Sequence, residues 1–318
     1  MTEFEFLENI RKKFSLRMIG DDCAVLPKNG DEDLLVTADM LIEDIDFRFD
    51  WAKPEFIGHK ALAVSLSDIA AMGGKPEWAM LSIGIPEHLW GTRTIDNFYK
   101  GWHKLAKKFK IELAGGDISR TKDKLVIDSV AGGSVPKGRA ILRSTAKPGN
   151  LIFVTGLLGG AAGGLDLFEK GSRQGGENTI LQDHLLLKHL QPWPQVNSAK
   201  LLQENAIATA AIDLSDGLSS DLHHVCSASG VGAVIHAEKI PIDPNLRGIT
   251  RRVAERLDLA LNGGEDFELL FTCDPKYFSA AKNAGFFHIG EITANKDIIE
   301  LMAAGESTVL PPKGYRHF

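Results

Sequence analysis

A segment rich in proline, glycine and basic residues divides the sequence at residues 134–150, SVPKGRAILRSTAKPGN. This composition is typical of a connection between two domains. The chain has 318 residues, beyond the roughly 250–300 residues at which a single hydrophobic core stops growing. We therefore expect an amino-terminal domain over residues 1–137 and a carboxy-terminal domain over residues 138–318.

Strands and helices mix in both blocks without a strict alternation. In the first block, apolar spacing predicts helices over residues 4–14, 54–72 and 94–110, and strands over residues 34–37, 79–85 and 125–135. The first of these strands is expected to break at Asp39. The second block opens with a strand, a glycine-rich turn and a helix. This mixture favours a two-domain α+β fold, with a mixed sheet and flanking helices in the amino-terminal domain, over a doubly wound parallel sheet.

Charge and cysteine content exclude several classes of protein. The net charge of −6 gives no general attraction to nucleic acid or to an anionic membrane. The three cysteines are far apart and indicate neither a disulfide framework nor a zinc site. No apolar run reaches the ~18 residues of a membrane span, and the first residues lack the pattern of a signal peptide. We expect a cytoplasmic protein that binds neither nucleic acid nor membrane.

Aspartates recur in this chain beside small residues, after apolar runs that read as strands. The six such positions are Asp21, Asp22, Asp39, Asp117, Asp213 and Asp216. Each one alone is explained as a turn or cap residue, because aspartate accepts local hydrogen bonds from backbone N–H groups. Together they indicate a shared cluster of oxygen ligands, which suits Mg²⁺.

Asp68 differs from these because it lies inside a predicted helix. Its helical neighbours three and four residues away are mostly apolar, so its carboxylate projects from an apolar face. An ionised group buried there is costly unless it is paired or bound to a metal. The two interpretations are a buried ion pair with a basic residue and a metal ligand that faces a cleft.

The glycine-rich turn over residues 156–164 is not a nucleotide-binding loop of a known type. It lacks the Gly-Lys-Ser/Thr ending of a P-loop and does not match G-x-G-x-x-G. Close packing of a helix on a strand is the better explanation. The ten histidines include no H-E-x-x-H arrangement, and no catalytic triad or reactive thiolate motif accompanies the aspartates.

Carboxylates without a general base suit one kind of reaction. An acidic cluster repels ATP and a phosphate-bearing acceptor, so several interposed Mg²⁺ ions would be needed to bring these anions together. A phosphate monoester acceptor is largely dianionic at neutral pH and attacks without losing a proton to the enzyme. Catalysis would then depend on in-line positioning and charge neutralisation, with Arg143 and Arg139 as candidate phosphate contacts.

Eight distinctive strings follow one another along nearly the whole chain. They are GDDCAVL, TADMLIE, KALAVSLSDIAAMGG, AGGDISR, GRAILRSTAKPG, AIDLSDGLSSDL, NGGEDFELLF and KGYRHF. In this order they resemble the thiamine-monophosphate kinase family. The resemblance implies ATP-dependent phosphorylation of thiamine monophosphate to thiamine diphosphate by direct transfer. It also implies a homodimer whose amino-terminal domains pair across a sheet, and a fold shared with aminoimidazole ribonucleotide synthetase.

The resemblance also implies roles for individual residues. The implied magnesium ligands are Asp22, Thr37, Asp39, Asp68, Asp117, Asp213 and Asp216. Among them Asp68, Asp117 and Asp216 are the implied catalytic residues. Gly116, Arg143 and Ser215 would meet ATP, and Gly115 would also allow backbone approach to the nucleotide. Glu265 would face the thiamine end of the acceptor.

Two positions depart from the pattern of the family, both on the acceptor side. Asp46 stands where many members have a histidine, and Pro312 stands where many have an aromatic residue. Loss of an aromatic face removes a stacking surface for a thiazolium or pyrimidine ring, for which Tyr315 is a candidate substitute. Two alternatives remain open: another ATP-using enzyme of the aminoimidazole ribonucleotide synthetase type, and a non-catalytic protein that binds nucleotide and metal.

Overall fold

The computed structural model describes residues 3–16, 18 and 20–317 and contains two mixed sheets flanked by helices, as predicted for an α+β fold. The helices of the amino-terminal part are α1 (Glu3–Phe14), α2 (Pro54–Ala71) and α3 (Arg93–Phe109). Its strands are β1 (Ala24–Pro27), β2 (Glu32–Ile42), β3 (Lys75–Pro86), β4 (Glu112–Gly115), β5 (Ile118–Thr121) and β6 (Val126–Pro136).

The first sheet has the strand order β1-β2-β6-β3-β4, with β5 also paired to β3. The predicted break of β2 at Asp39 is wrong, because the strand continues to Ile42. The backbone of Asp39 is in register with Ser129 of β6, and its carboxylate accepts a hydrogen bond from Ser65 of α2 at 2.7 Å. A carboxylate satisfied in this way is tolerated in the middle of a strand.

The carboxy-terminal part contains the second sheet. Its helices are α4 (Gly160–Glu169), α5 (Ile180–Leu190), α6 (Val196–Glu204), α7 (Leu218–Ser229), α8 (Val253–Asn262) and α9 (Phe278–Asn283). Its strands are β7 (Leu151–Val154), β8 (Ala208–Asp213), β9 (Gly232–His236), β10 (Leu269–Cys273), β11 (Phe287–Thr293), β12 (Ile299–Ala303) and β13 (Glu306–Val309). They follow the order β13-β12-β9-β11-β7-β10-β8.

Helix α2 lies between the two sheets and is buried along almost its whole length. It begins at Pro54, as predicted, and is followed by Gly73 in a left-handed conformation with φ +71°. Most of its apolar residues belong to a core that also includes Leu167 of α4 and Leu185 of α5, whereas Ala70 and Ala71 pack in a cluster with Phe153 and Phe271 of the second sheet. A helix that is apolar on all sides is expected in such an interior position.

Glycines of the stretch at residues 156–164 allow close packing of helix α4 on helix α5, whereas the sequence predicted packing of a helix on a strand. A Cβ atom on Gly164 would lie 2.2 Å from the carbonyl oxygen of Leu185 in α5, and one on Gly163 would lie 2.5 Å from Leu246. Glycine therefore lets α4 approach α5 closely.

Within the ranges that the structure describes, none of the helices combines the length and the apolar character needed to cross a bilayer.

Candidate active site

Three aspartates from distant parts of the sequence converge between the two sheets. Asp22 precedes β1, Asp68 lies in α2, and Asp213 ends β8. Each has a carboxylate oxygen within 4.8 Å of the others. Asp22 and Asp213 are buried and Asp68 is half-buried. The turn before β1 and the end of β8 thus each place one carboxylate beside Asp68 of helix α2.

Hydroxyl groups hold the carboxylates of this cluster in place. The hydroxyl of Thr37 donates to Asp68 Oδ2 at 2.5 Å, and that of Ser67 donates to Asp213 Oδ2 at 2.6 Å. The hydroxyl of Ser65 donates to Asp39 as described above. Sequence reasoning identified Thr37 but missed both serines, although the string SLSD places them one and three residues before Asp68.

Burial and mutual repulsion raise the pKa values of the carboxyl groups of Asp39, Asp68 and Asp213. Burial raises the pKa of Asp213 to about 7, with Asp22 adding repulsion. Burial likewise raises the pKa of Asp39 to about 6. The pKa of Asp68 is raised well above its ordinary value by burial and then by Asp39, Asp213 and Asp22. A bound divalent cation would relieve this repulsion, and the all-oxygen donor set fits Mg²⁺.

Arg143 is the cation that the structure places in this cluster. Its Nη2 donates to Asp22 Oδ1, and its Nε donates to Asp22 Oδ2 at 3.2 Å. Its backbone N–H donates to Asp21 Oδ1 at 2.7 Å. The side chain of Asp22 is fully buried, with 0% exposure, so the guanidinium compensates a charge that water does not reach. Arg139, the other candidate phosphate contact, is exposed.

Asp117 lies apart from the convergent aspartates, at the bend between β4 and β5. Its side chain is exposed, and in the part of the chain that the structure describes it is not a member of the close group. The preceding Gly116 packs on the backbone of β3, where an added Cβ would lie 1.9 Å from the carbonyl oxygen of Leu81. The predicted roles of Gly116 at the nucleotide and of Asp117 at the metal stay predictions.

Asp216 lies beside a cavity of about 450 Å³ between α7 and the carboxy-terminal segment. Among its lining residues are Ser220, Pro312 and Tyr315. The segment crosses the start of α7, where the backbone N–H of Tyr315 donates to the carbonyl oxygen of Asp216 at 3.0 Å. The cavity has the size of a small-molecule site. Of the predicted acceptor-binding residues, Tyr315 lines it.

The other two predicted acceptor-binding residues lie near each other at the boundary of the domains. Asp46 accepts a hydrogen bond from the backbone N–H of Ile42 at 2.7 Å. Glu265 forms ion pairs with Lys60 at 2.5 Å and with His189 at 3.0 Å. Sequence reasoning missed Lys60 and His189. Lys60 carried a signal, since it belongs to the string KALAVSLSDIAAMGG, whereas His189 lies in no distinctive string.

Comparison with known proteins identifies the family of this chain. Residues 20–135 match the family model "AIR synthase related protein, N-terminal domain", and residues 147–301 match the corresponding carboxy-terminal domain. The thiamine-monophosphate kinase of Bacillus subtilis is 37% identical over 309 residues, which cover 94% of this chain and 93% of the relative. The chain belongs to the thiamine-monophosphate kinase family.

Solved structures of thiamine-monophosphate kinases have the same fold. AaThiL complexed with AMPPCP and TMP is 31% identical, with a TM-score of 0.88 over 100% of this chain and 97% of that chain. The thiamine-monophosphate kinase of Stenotrophomonas maltophilia is 36% identical, with a TM-score of 0.79 over 96% of this chain and 98% of that chain. The predicted α+β architecture and family are therefore confirmed.

Proposed function

We propose that this protein transfers the γ-phosphoryl group of ATP to thiamine monophosphate, which gives thiamine diphosphate and ADP. Membership of the thiamine-monophosphate kinase family supports the activity, and the AaThiL complex with AMPPCP and TMP supports the two substrates. The single observation that carries the proposal is the convergence of Asp22, Asp68 and Asp213 on one position between the domains.

The acidic cluster would hold several Mg²⁺ ions. The convergent group supplies a first set of oxygen ligands, with Asp39 and Thr37 next to it. Asp117 and Asp216, which lie outside this group, are proposed to add ligands for further ions. Bound Mg²⁺ would supply the charge neutralisation that lets two polyanions approach each other. Arg143 already neutralises Asp22 on this side of the site.

Transfer would proceed in line, without a general base. The phosphate of thiamine monophosphate is a monoester with a second pKa near ~6, so its oxygen is already a nucleophile at neutral pH. The chain then has to orient the two phosphates and exclude water. Gly116, Arg143 and Ser215 are proposed to meet ATP. Asp46, Glu265 and Tyr315 are proposed to shape the acceptor end, beside the cavity at Asp216.

We propose a homodimer formed by the outer face of the first sheet. Ala38, Val130 and Met80 are register partners on β2, β6 and β3, and Met40 follows on the same face. Met40 is 61% exposed and Met80 is 40% exposed, so this apolar surface needs a cover. Sedimentation of wild type and of Met80→Glu tests the dimer, which the added charge is expected to dissociate.

We also propose that the domain boundary lies between residues 137 and 138, in the connection from β6 to β7.

The activity is tested directly with purified protein, Mg²⁺, ATP and thiamine monophosphate. We expect equal amounts of thiamine diphosphate and ADP, and no product in the presence of a chelator. The control omits thiamine monophosphate and reports ATP hydrolysis alone. Binding of ATP with Mg²⁺ but no consumption with any thiamine ester would refute the proposal and identify a non-catalytic nucleotide-binding protein.

A further inference from the structure

Residues 312–317 form a strap that lies over the first turn of α7. Three consecutive backbone N–H groups of this strap donate hydrogen bonds to residues 216–220. The bonds run from Lys313 to Ser219 Oγ at 3.2 Å, from Gly314 to Ser220 Oγ at 2.9 Å and from Tyr315 to the carbonyl oxygen of Asp216 at 3.0 Å. Two of the three groups that accept these bonds are side chains, so substitution can remove them one at a time.

The strap buries little of its own surface. Gly314 is half-buried, and the other five residues of the strap are exposed. The chain just before it is anchored in the core, since Leu310 is buried and its N–H donates to the carbonyl oxygen of Ile299 at 2.8 Å. Beyond that point hydrophobic burial contributes little, so the hydrogen bonds to α7 determine where the strap lies.

The hydroxyl group of Ser219 is oriented to accept a hydrogen bond from the strap. Ser219 has 0% exposure, and its hydroxyl donates to Asn262 Oδ1 at 2.8 Å, at the end of α8. Because its proton is engaged there, the oxygen presents its lone pairs to the N–H of Lys313. Ser220 is buried as well, with 6% exposure. Two buried hydroxyl groups on one helical turn are thus bonded to the strap.

Gly314 lets the strap approach α7 closely. A Cβ atom added to Gly314 would lie 2.4 Å from the carbonyl oxygen of Asp216 and 2.6 Å from Ser220 Oγ. Contacts this short do not occur in well-packed proteins, so a larger residue at this position would have to lift the strap away from the helix.

Tyr315 connects the strap to the residues proposed to bind thiamine monophosphate. Its side chain lines the cavity beside Asp216. Burial raises the pKa of its hydroxyl group, and the nearby carboxylates of Asp46 and Glu265 raise it further. The position of the strap therefore sets where the ring of Tyr315 lies at this end of the site.

We propose that Ser219 and Ser220 are positioning residues, which hold the strap on α7 and thereby place Tyr315 for the binding of thiamine monophosphate. Each serine acts through the backbone of the strap and not through contact with the substrate. The inference rests on the proposed kinase activity and deepens it, because it names the groups that set the affinity for the second substrate.

Ser220→Ala is compared with Ser198→Ala. Ser198 is a half-buried serine of α6 whose hydroxyl donates to Gln195, just before the same helix. For Ser220→Ala we expect faster amide hydrogen exchange at residues 313–315. We also expect KM for thiamine monophosphate to rise about fivefold, as for the loss of one hydrogen bond. Ser198→Ala should change neither quantity.

The division of the effect between KM and kcat separates positioning of the substrate from a general loss of structure. In Ser220→Ala, kcat and KM for ATP should change less than about twofold, because the interaction that is lost is one made equally in the ground state and the transition state. A fall of about tenfold in kcat with unchanged KM for thiamine monophosphate would assign the strap to Asp216 instead and overturn the proposal.

Gly314→Ala displaces the strap while both hydroxyl groups remain. We expect KM for thiamine monophosphate to rise about tenfold or more, with faster exchange at residues 313–315. Gly30→Ala is the control, since an added Cβ there has no other atom within 4 Å. Ser219→Ala should resemble Ser220→Ala. If its lost bond to Asn262 prevents folding, Ser220→Ala and Gly314→Ala decide the question.

Tyr315→Ala and the double variant Ser220→Ala/Tyr315→Ala test whether the serine acts through the tyrosine. Tyr315→Ala should raise KM for thiamine monophosphate, and the added Ser220→Ala should then raise it no further. An unchanged KM in Tyr315→Ala, or losses that multiply in the double variant, would overturn the proposal.

Hydrogen exchange keeps this proposal distinct from the proposed function. If the wild type makes no thiamine diphosphate, the proposed function fails, and exchange at residues 313–315 still shows whether the serines hold the strap. Unchanged exchange of these amides in Ser220→Ala and in Gly314→Ala would refute the positioning role, whether or not the wild type is active.

Discussion

Ser67 of α2 donates a hydrogen bond of 2.6 Å to Asp213 at the end of β8, although the two residues are 146 positions apart in the sequence. The adjacent residue of α2, Asp68, belongs to the same carboxylate group. One turn of this helix therefore supplies a metal-ligand candidate and orients a second one from the other domain. The cluster exists only when the two domains are packed together.

Asp68→Asn is expected to abolish turnover and to leave the fold intact. The amide keeps the shape of the side chain and the hydrogen bond from Thr37, but it removes a charge that Asp39, Asp213 and Asp22 repel. The metal-free variant should melt at the same temperature as the wild type or higher, and the rise in Tm on addition of Mg²⁺ should shrink. Rate assays and thermal melts with and without Mg²⁺ measure both effects. Activity within tenfold of the wild type would make Asp68 a structural residue.

Arg143→Met should destabilise the protein by about 3 kcal/mol in the absence of ligands, because loss of one partner of a buried pair leaves the other uncompensated. Asp22 is that partner. Urea denaturation of the chelated protein gives the free energy of unfolding. The double variant Asp22→Asn/Arg143→Met should recover part of the loss. The cycle is completed with Asp22→Asn, and losses of the two single variants that simply add up in the double variant would show that the pair is not coupled.

Gly116→Ala and Gly115→Ala form a matched pair. Both positions have positive φ, +149° at Gly116 and +157° at Gly115. A Cβ added to Gly116 would lie 1.9 Å from the carbonyl oxygen of Leu81. The atom nearest to a Cβ added to Gly115 is Met80 Cε, at 3.8 Å. We expect Gly116→Ala to cost about 3 kcal/mol from strain and overpacking, and Gly115→Ala about 1 kcal/mol from strain alone. Denaturation midpoints measure this. A Gly116→Ala protein as stable as Gly115→Ala would contradict the close approach.

Asp266 should make stability fall as pH rises toward 7. Burial raises its pKa from 3.8 to about 7, although Gly159 and Ala161 donate to it and act in the opposite direction. The pKa of Asp266 is higher in the folded state than in the unfolded state. Its contribution to the free energy of unfolding is therefore complete below about pH 4 and is lost as pH rises through about 7. The fall in Tm between pH 5 and pH 8 should therefore be smaller in Asp266→Asn than in the wild type. Glu306→Gln, exposed on β13, is the control, and an equal fall in Asp266→Asn would refute this assignment.

The sequence predicted local structure best where one signal dominated. Pro54 and the glycines after Met72 delimit α2 almost as predicted, because a proline start and a glycine stop are backbone effects that need no tertiary partner. The continuation of β2 through Asp39 was not predictable in this way. It depends on Ser65, 26 residues later, whose hydroxyl satisfies the carboxylate.

The sequence predicted candidate residues for the site but not which side chains contact each other within it. Oxygen-rich chemistry around Asp68 follows from residue types, whereas the pairing of Asp22 with Arg143 depends on a contact 121 residues apart in sequence. Lys60 and His189 were missed for the same reason, since a basic residue in a helix reveals its partner only after the domains pack. Periodicity describes which side of an element is buried and carries no information about what it meets there.

The position of α2 limits how the two halves can be exchanged. Ala70 and Ala71 pack with residues of the second sheet, and Ser67 bonds Asp213, while other residues of the helix pack in the core that includes the first sheet. A chimera that joined the amino-terminal half of one relative to the carboxy-terminal half of another would set this helix against a foreign surface. Recombination within the family is therefore expected to succeed only when the residues of the carboxy-terminal half that contact α2 are exchanged together with the helix.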